Sequence, residues 1–183
     1  HQSDHRSDSS MTARPSYSLL AIAALSFGMT ACRKRSNADT AAMAMNPIVR
    51  LERGACFGRC PEYAVDLFGN GAVRFDGRKN VDSLGAHQAT IKAKAVSALQ
   101  KEFVIATFAS ADSVYEMGSP GCGQYVADGP QLVLSAMIEK SLRTVKLDGG
   151  CTGAPRFLRT LAARVDSVAR TSVWINTNGE SAR

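Results

Sequence analysis

The sequence predicts an α+β domain: an antiparallel sheet of about five to seven strands with two amphipathic helices packed on one face. Three observations lead there. Apolar residues recur with period two through Tyr63, Val65, Leu67, Val73 and Phe75, and again through Leu132, Leu134, Ala136 and Ile138. Two other stretches switch to helical spacing, one through Val96, Leu99, Phe103 and Ala106 and one through Phe157, Leu161, Val165 and Val168. The joints between neighbouring strands, Gly69-Asn70-Gly71 and Glu139-Lys140, are short. Parallel strands need a crossover of a dozen residues or more, so such joints fit antiparallel hairpins.

Taken in order, the residues from Ile48 to Arg53 alternate weakly and predict a first strand. Gly54 to Pro61 interrupts it with two glycines, two cysteines and a proline, the composition of a tight turn. The second strand turns Tyr63, Val65 and Leu67 one way and Ala64, Asp66 and Phe68 the other. Asn70-Gly71 favours the left-handed backbone of a two-residue hairpin turn, and Val73 and Phe75 continue the apolar row on a third strand. His87 to Ile91 predicts a fourth. No proline or glycine breaks the helix expected from Lys92 to Phe108. Ala109 to Pro130, rich in Ser, Gly, Asp and Pro, reads as a loop. Strands at 132–138 and 142–147 follow, then a helix with Pro155 in its first turn, where the missing N–H costs nothing. Val173-Trp174-Ile175 reads as a short edge strand, and residues 177–183 as a disordered tail.

Ahead of the domain at 48–176 the chain carries an address. Residues 1–10 are polar and patternless and read as a non-native extension before a start at Met11. The apolar run from Leu19 to Met29 is too short for the roughly 30 Å of a bilayer core, which takes about 20 helical residues, but it suits a secretory signal ending at residue 31. Met29-Thr30-Ala31-Cys32 resembles the lipobox of bacterial lipoproteins. That resemblance implies cleavage before Cys32 and acylation of it by palmitate-like chains, each buried methylene contributing about 0.8 kcal/mol to membrane attachment. Arg33 in place of an aspartate after the cysteine suggests the outer membrane, facing the periplasm, if the cell is diderm. Residues 32–47 are then the lipidated cysteine and a flexible tether.

The stretch Leu51-Glu52-Arg53-Gly54-Ala55-Cys56-Phe57-Gly58-Arg59-Cys60-Pro61-Glu62-Tyr63, followed by Phe68-Gly69-Asn70-Gly71-Ala72-Val73-Arg74-Phe75, resembles a family of bacterial envelope domains, domain of unknown function 6438. Later matches are Cys122, Gly150-Cys151, the helix from Pro155 and Trp174, so the resemblance runs from about Ile48 to Trp174. It implies a fold and an envelope location, and no activity.

With Cys32 assigned to lipid, Cys56, Cys60, Cys122 and Cys151 remain. An even number in an oxidising compartment points to two disulfides, for which four cysteines allow three connectivities. Their positions favour Cys56–Cys60 and Cys122–Cys151. The rival is a redox or metal pair at Cys56 and Cys60, where Arg53 and Arg59 can lower a thiol pKa. Three residues separate those cysteines, one more than in thioredoxin-type motifs.

Net charge is +6, and from Ile48 onward 17 basic and 13 acidic residues are dispersed without a run of four, which argues against a nucleic-acid footprint. His87 is the one histidine after the leader and has no neighbouring ligand spacing, so neither zinc nor another metal or cofactor is expected. No nucleophile elbow, phosphate loop or His-Glu-x-x-His is present in the sequence. Asp76 and Asp82 read as solvated carboxylates.

The favoured reading is a lipid-anchored envelope protein acting as a non-catalytic binding or structural module. Its partners are the membrane and an unknown envelope protein or ligand. Phe57, Arg59 and Tyr125 are the candidate contacts, on loops where binding residues concentrate. The alternative is a thiol–disulfide or other cysteine-dependent enzyme using Cys56 and Cys60.

Overall fold

The computed structural model describes residues 46–175. The expected signal sequence, Cys32, nearly all of the tether and the tail at 177–183 lie outside the described residues.

Seven strands form one sheet in the order β4-β3-β2-β1-β6-β7-β5. They are β1 (Val49–Arg53), β2 (Glu62–Leu67), β3 (Ala72–Lys79), β4 (Gly85–Thr90), β5 (Val114–Tyr115), β6 (Leu132–Ile138) and β7 (Ser141–Leu147). All pairings are antiparallel except the short one between β5 and β7. The helices are α1 (Ala93–Ile105), α2 (Arg156–Ala169) and α3 (Ser172–Ile175), with a single 3-10 turn at Phe108–Ser110.

Strand alternation divides the sheet into two unlike faces. Leu51, Tyr63, Val65, Phe75 and Leu134 point to one side and are buried under Val96, Leu99 and Phe103 of α1 and Leu158, Leu161 and Val165 of α2. Each such side chain contributes about 1.5–3 kcal/mol through removal from water. Phe75 joins the layers at the sheet's end: its ring lies 5.2 Å from Tyr63 and stacks on Trp174 at 4.9 Å.

The opposite face carries charge. Asp66, only 2% exposed, accepts hydrogen bonds from Arg50 on β1 at 2.6 Å and Arg74 on β3 at 2.5 Å. Glu52 accepts from Arg50 and from Arg78, which reaches it from two strands away. Between Glu52 and Asp76 in the register stands Ala64, small enough to leave that path open. Burial works against the charged form of Glu52, yet the two guanidiniums outweigh it and hold its pKa below the ordinary carboxylate value. Asp76, expected to be merely solvated, joins this array through Arg78 at 3.3 Å.

Several local expectations are corrected. The β2–β3 hairpin forms, but not as an Asn70-Gly71 two-residue turn. Gly71 N–H donates to the Phe68 carbonyl, and only Gly71 is left-handed (φ +90°), the arrangement of a turn followed by a glycine bulge. A side chain on Gly71 would come within 2.2 Å of the Ile91 carbonyl oxygen. Val173-Trp174-Ile175 is part of helix α3, not a strand, because Thr171 carbonyl accepts from the Trp174 and Ile175 N–H groups. The expected loop from Ala109 to Pro130 contains strand β5, whose two residues are too few to show a period. On α2 the buried stripe is Leu158, Leu161, Ala162, Val165 and Ala169, with Phe157 and Val168 at its margin.

Candidate functional site

The register puts four connections at one end of the sheet: β1 to β2, β3 to β4, β5 to β6, and the segment after β7. Both cysteine pairs lie there. The chain enters β1 at the other end.

The first loop, Gly54 to Pro61, stands on two facing strand residues, Arg53 and Tyr63. Both turn toward the helices and meet one carboxylate, Asp166 of α2. Arg53 donates to Asp166 Oδ2 from Nε at 2.9 Å and Nη2 at 2.6 Å. The Tyr63 hydroxyl donates to Oδ1 at 2.6 Å, and the Thr171 hydroxyl donates to the same oxygen at 3.0 Å. Burial opposes the Arg53 charge, but Asp166 and then Tyr63 more than offset it and raise the guanidinium pKa. For Tyr63, burial first and the Asp166 charge second push the hydroxyl well above its ordinary pKa, so it stays a donor. The Arg53 cation is therefore committed to Asp166, which removes it as an activator of a neighbouring thiol.

Above this stem, Cys56 and Cys60 lie at disulfide distance, with Cα atoms 5.8 Å apart, inside the roughly 7 Å that a bridge allows. Gly58 supplies a left-handed residue (φ +123°) with open space around it. Gly54 N–H donates to the Gln131 carbonyl, Gln131 N–H to the Ala55 carbonyl, and the Asn80 amide to the Cys60 carbonyl. Phe57 is 83% exposed at the tip and contributes nothing to the core. Arg59 is exposed too, and among the described residues it has no ion-pair partner.

The second loop is built differently. Cys122 and Cys151, also at disulfide distance with Cα atoms 4.5 Å apart, are 1% and 0% exposed. Their neighbours are cross-linked by backbone bonds: Gly153 N–H to Cys122 O, Thr152 N–H to Gln124 O, and Val126 N–H to Gly150 O. Tyr125 pairs with Cys151 as an isolated bridge, and its hydroxyl donates to Asp148 Oδ2 at 3.1 Å. That hydrogen bond, with some burial and the charges of Asp148 and Asp128, raises the Tyr125 pKa. The ring is half-buried, so Tyr125 is more a part of the loop's frame than Phe57 is of its own.

The structure thus places Phe57 and Arg59 together and Tyr125 on the same end of the sheet. β6 lies between β1 and β7, so their ends are about 10 Å apart at two strand spacings. Exposed Phe57, Leu84, Met117 and Val126 come from three of these connections, β1 to β2, β3 to β4 and, for the last two, β5 to β6. Among the described residues no three His, Cys, Asp or Glu side chains gather as a metal site. Sequence reasoning missed Asp166. The available signal was an acid four residues after Ala162 and next to Val165, at the border of the apolar stripe.

The family model for a domain of unknown function, DUF6438, matches residues 47–169. The chain belongs to this family. The matched DUF6438 residues take in both cysteine pairs, Arg53, Tyr63 and Asp166, and end short of Trp174, where the sequence resemblance was expected to run. No curated protein matches the chain.

Proposed function

We propose that this DUF6438 protein is a lipid-anchored module of the cell envelope, without catalysis of its own, that presents its disulfide-bearing end to a partner. The observation that carries the reading is Phe57, almost wholly exposed on a loop closed by Cys56 and Cys60. An aromatic side chain held out on a constrained loop loses little entropy on binding and offers a large contact area. Arg59 beside it suits a carboxylate or phosphate, which its planar fork recognises with two parallel hydrogen bonds. Two cysteine pairs at disulfide distance accord with an oxidising compartment. Cleavage and acylation at Cys32 then supply the anchor, on the outer membrane's periplasmic side in a diderm cell. The chain enters β1 at the end of the sheet opposite these loops.

Two measurements test this. Mass spectrometry of the detergent-extracted protein is expected to show an acylated N-terminal Cys32; an unmodified terminus elsewhere refutes the anchor. Crosslinking in cells compares wild type with Phe57→Ala, Arg59→Ala and Tyr125→Ala. Reduced partner yield with unchanged thermal unfolding supports the loop surface. Identical partners at identical yield move the binding face elsewhere, such as the charged side of the sheet.

A further inference from the structure

The two cysteine pairs differ in access and in what depends on them. Cys56 and Cys60 are half-buried in a row of exposed residues, Ala55, Phe57, Gly58 and Arg59. Cys122 and Cys151 are sealed in the core. Thiol–disulfide exchange needs a thiolate to approach along the S–S axis, so access governs which bridge reacts. The more accessible pair is also not the only fastening of its loop. Asp166 ties Arg53 to Tyr63 directly beneath it, and the Gln131 and Asn80 hydrogen bonds fasten both flanks. Opening the bridge leaves those contacts in place. Finally, Arg59 adjoins Cys60, and a neighbouring cation stabilises a departing thiolate.

We infer that Cys56–Cys60 is a thiol–disulfide exchange site for an external dithiol, while Cys122–Cys151 is permanent. The protein is here the substrate of exchange, so the inference stands apart from the binding role proposed above. A thiolate of the dithiol attacks Cys56 Sγ; the Cys56–Cys60 bond breaks and Cys60 leaves as a thiolate beside Arg59, then takes up a proton. The dithiol's second thiol loses its proton and, as a thiolate, attacks the mixed disulfide, forming the partner's own disulfide and releasing Cys56, which is protonated in turn. Two electrons and two protons reach the protein, and the dithiol is oxidised. Reduction frees the Phe57–Arg59 segment from its closure, and reoxidation restores it.

The test uses the purified full chain, graded dithiothreitol, alkylation and peptide mass spectrometry. Cys56 and Cys60 are expected to be alkylated at a dithiothreitol concentration at least tenfold below that needed for Cys122 and Cys151, with circular dichroism unchanged. At that concentration trypsin should cut after Arg59 at least several-fold faster than in the oxidised protein. Simultaneous labelling of all four cysteines, or resistance of Cys56–Cys60 until the domain unfolds, overturns the proposal. In Arg59→Gln the opening rate at low ionic strength should fall several-fold; an unchanged rate overturns the route through a Cys60 leaving group.

Discussion

One bridge lies in the core and the other on the rim, and the contrast separates two uses of the same bond. At Cys122–Cys151 the disulfide is part of the packing: the sulfurs are buried, and the loop's backbone folds around them. At Cys56–Cys60 the fastening is done one layer down, where Asp166 joins the last residue of β1 to the second of β2. A bridge relieved of holding its own stem is left to shape what stands above it. The lesson is that a cysteine pair's worth to the fold is read from the contacts that would survive its loss.

The largest effect should follow loss of the core bridge. On the chain-entropy model its loop, with a sequence separation of 29, contributes about 3.6 kcal/mol, and vacating buried sulfur adds a packing loss. Cys122→Ala with Cys151→Ala should lower Tm by more than about 10 °C in calorimetry. Next comes Asp166→Ala, which strands a mostly buried guanidinium; breaking a fully buried pair costs about 3–5 kcal/mol, and this partly exposed one about 2–3. Denaturant unfolding checks it. Cys56→Ser with Cys60→Ser should cost less, about 2 kcal/mol at most. If it costs more than Asp166→Ala, the stem is not what secures the rim and the comparison fails.

The smallest effect sharpens the comparison through pH. The folded state raises the Tyr63 pKa above the ordinary 10.0, favouring the protonated hydroxyl. Its contribution is thus complete below pH 10 and is lost as pH climbs beyond it, since the unfolded chain releases that proton first. Tyr63→Phe should cost about 1 kcal/mol at pH 7 and flatten the alkaline fall in stability. An alkaline slope identical to the wild type's would show that Tyr63 is not the group responsible.

Much of this fold was legible because its strands alternate cleanly: Tyr63, Val65 and Leu67 inward, Asp66 outward. The helices were legible through Val96, Leu99 and Phe103. What failed had physical reasons. Three successive apolar residues, Val173 to Ile175, fit either period, and the choice was made by Thr171 and by Trp174 stacking on Phe75. β5 exists because Val114 and Tyr115 pair with Lys146 and Leu147 of β7. The cysteines and Phe57 were visible as candidates, whereas the role of Arg53 was hidden. Its partner lies 113 residues away, and no local pattern names it. Arg53 therefore looked like a thiol activator until the helix was in place above it.

The charged lattice on the open side of the sheet bears on how the chain finds its pairing. If β2 slid by one residue, Asp66 would face the helices and Val65 would face water, because neighbouring residues point to opposite sides. A slide of two residues keeps each side chain on its proper face, so hydrophobicity alone opposes it weakly. The lattice opposes it more strongly, since Asp66 would leave its place between Arg50 and Arg74, and on the helix-facing side Tyr63 would leave its place opposite Arg53. Apolar alternation thus selects the face, and the ion pairs select the step along the strand, so that an even-numbered misalignment is penalised by charge even where burial would tolerate it.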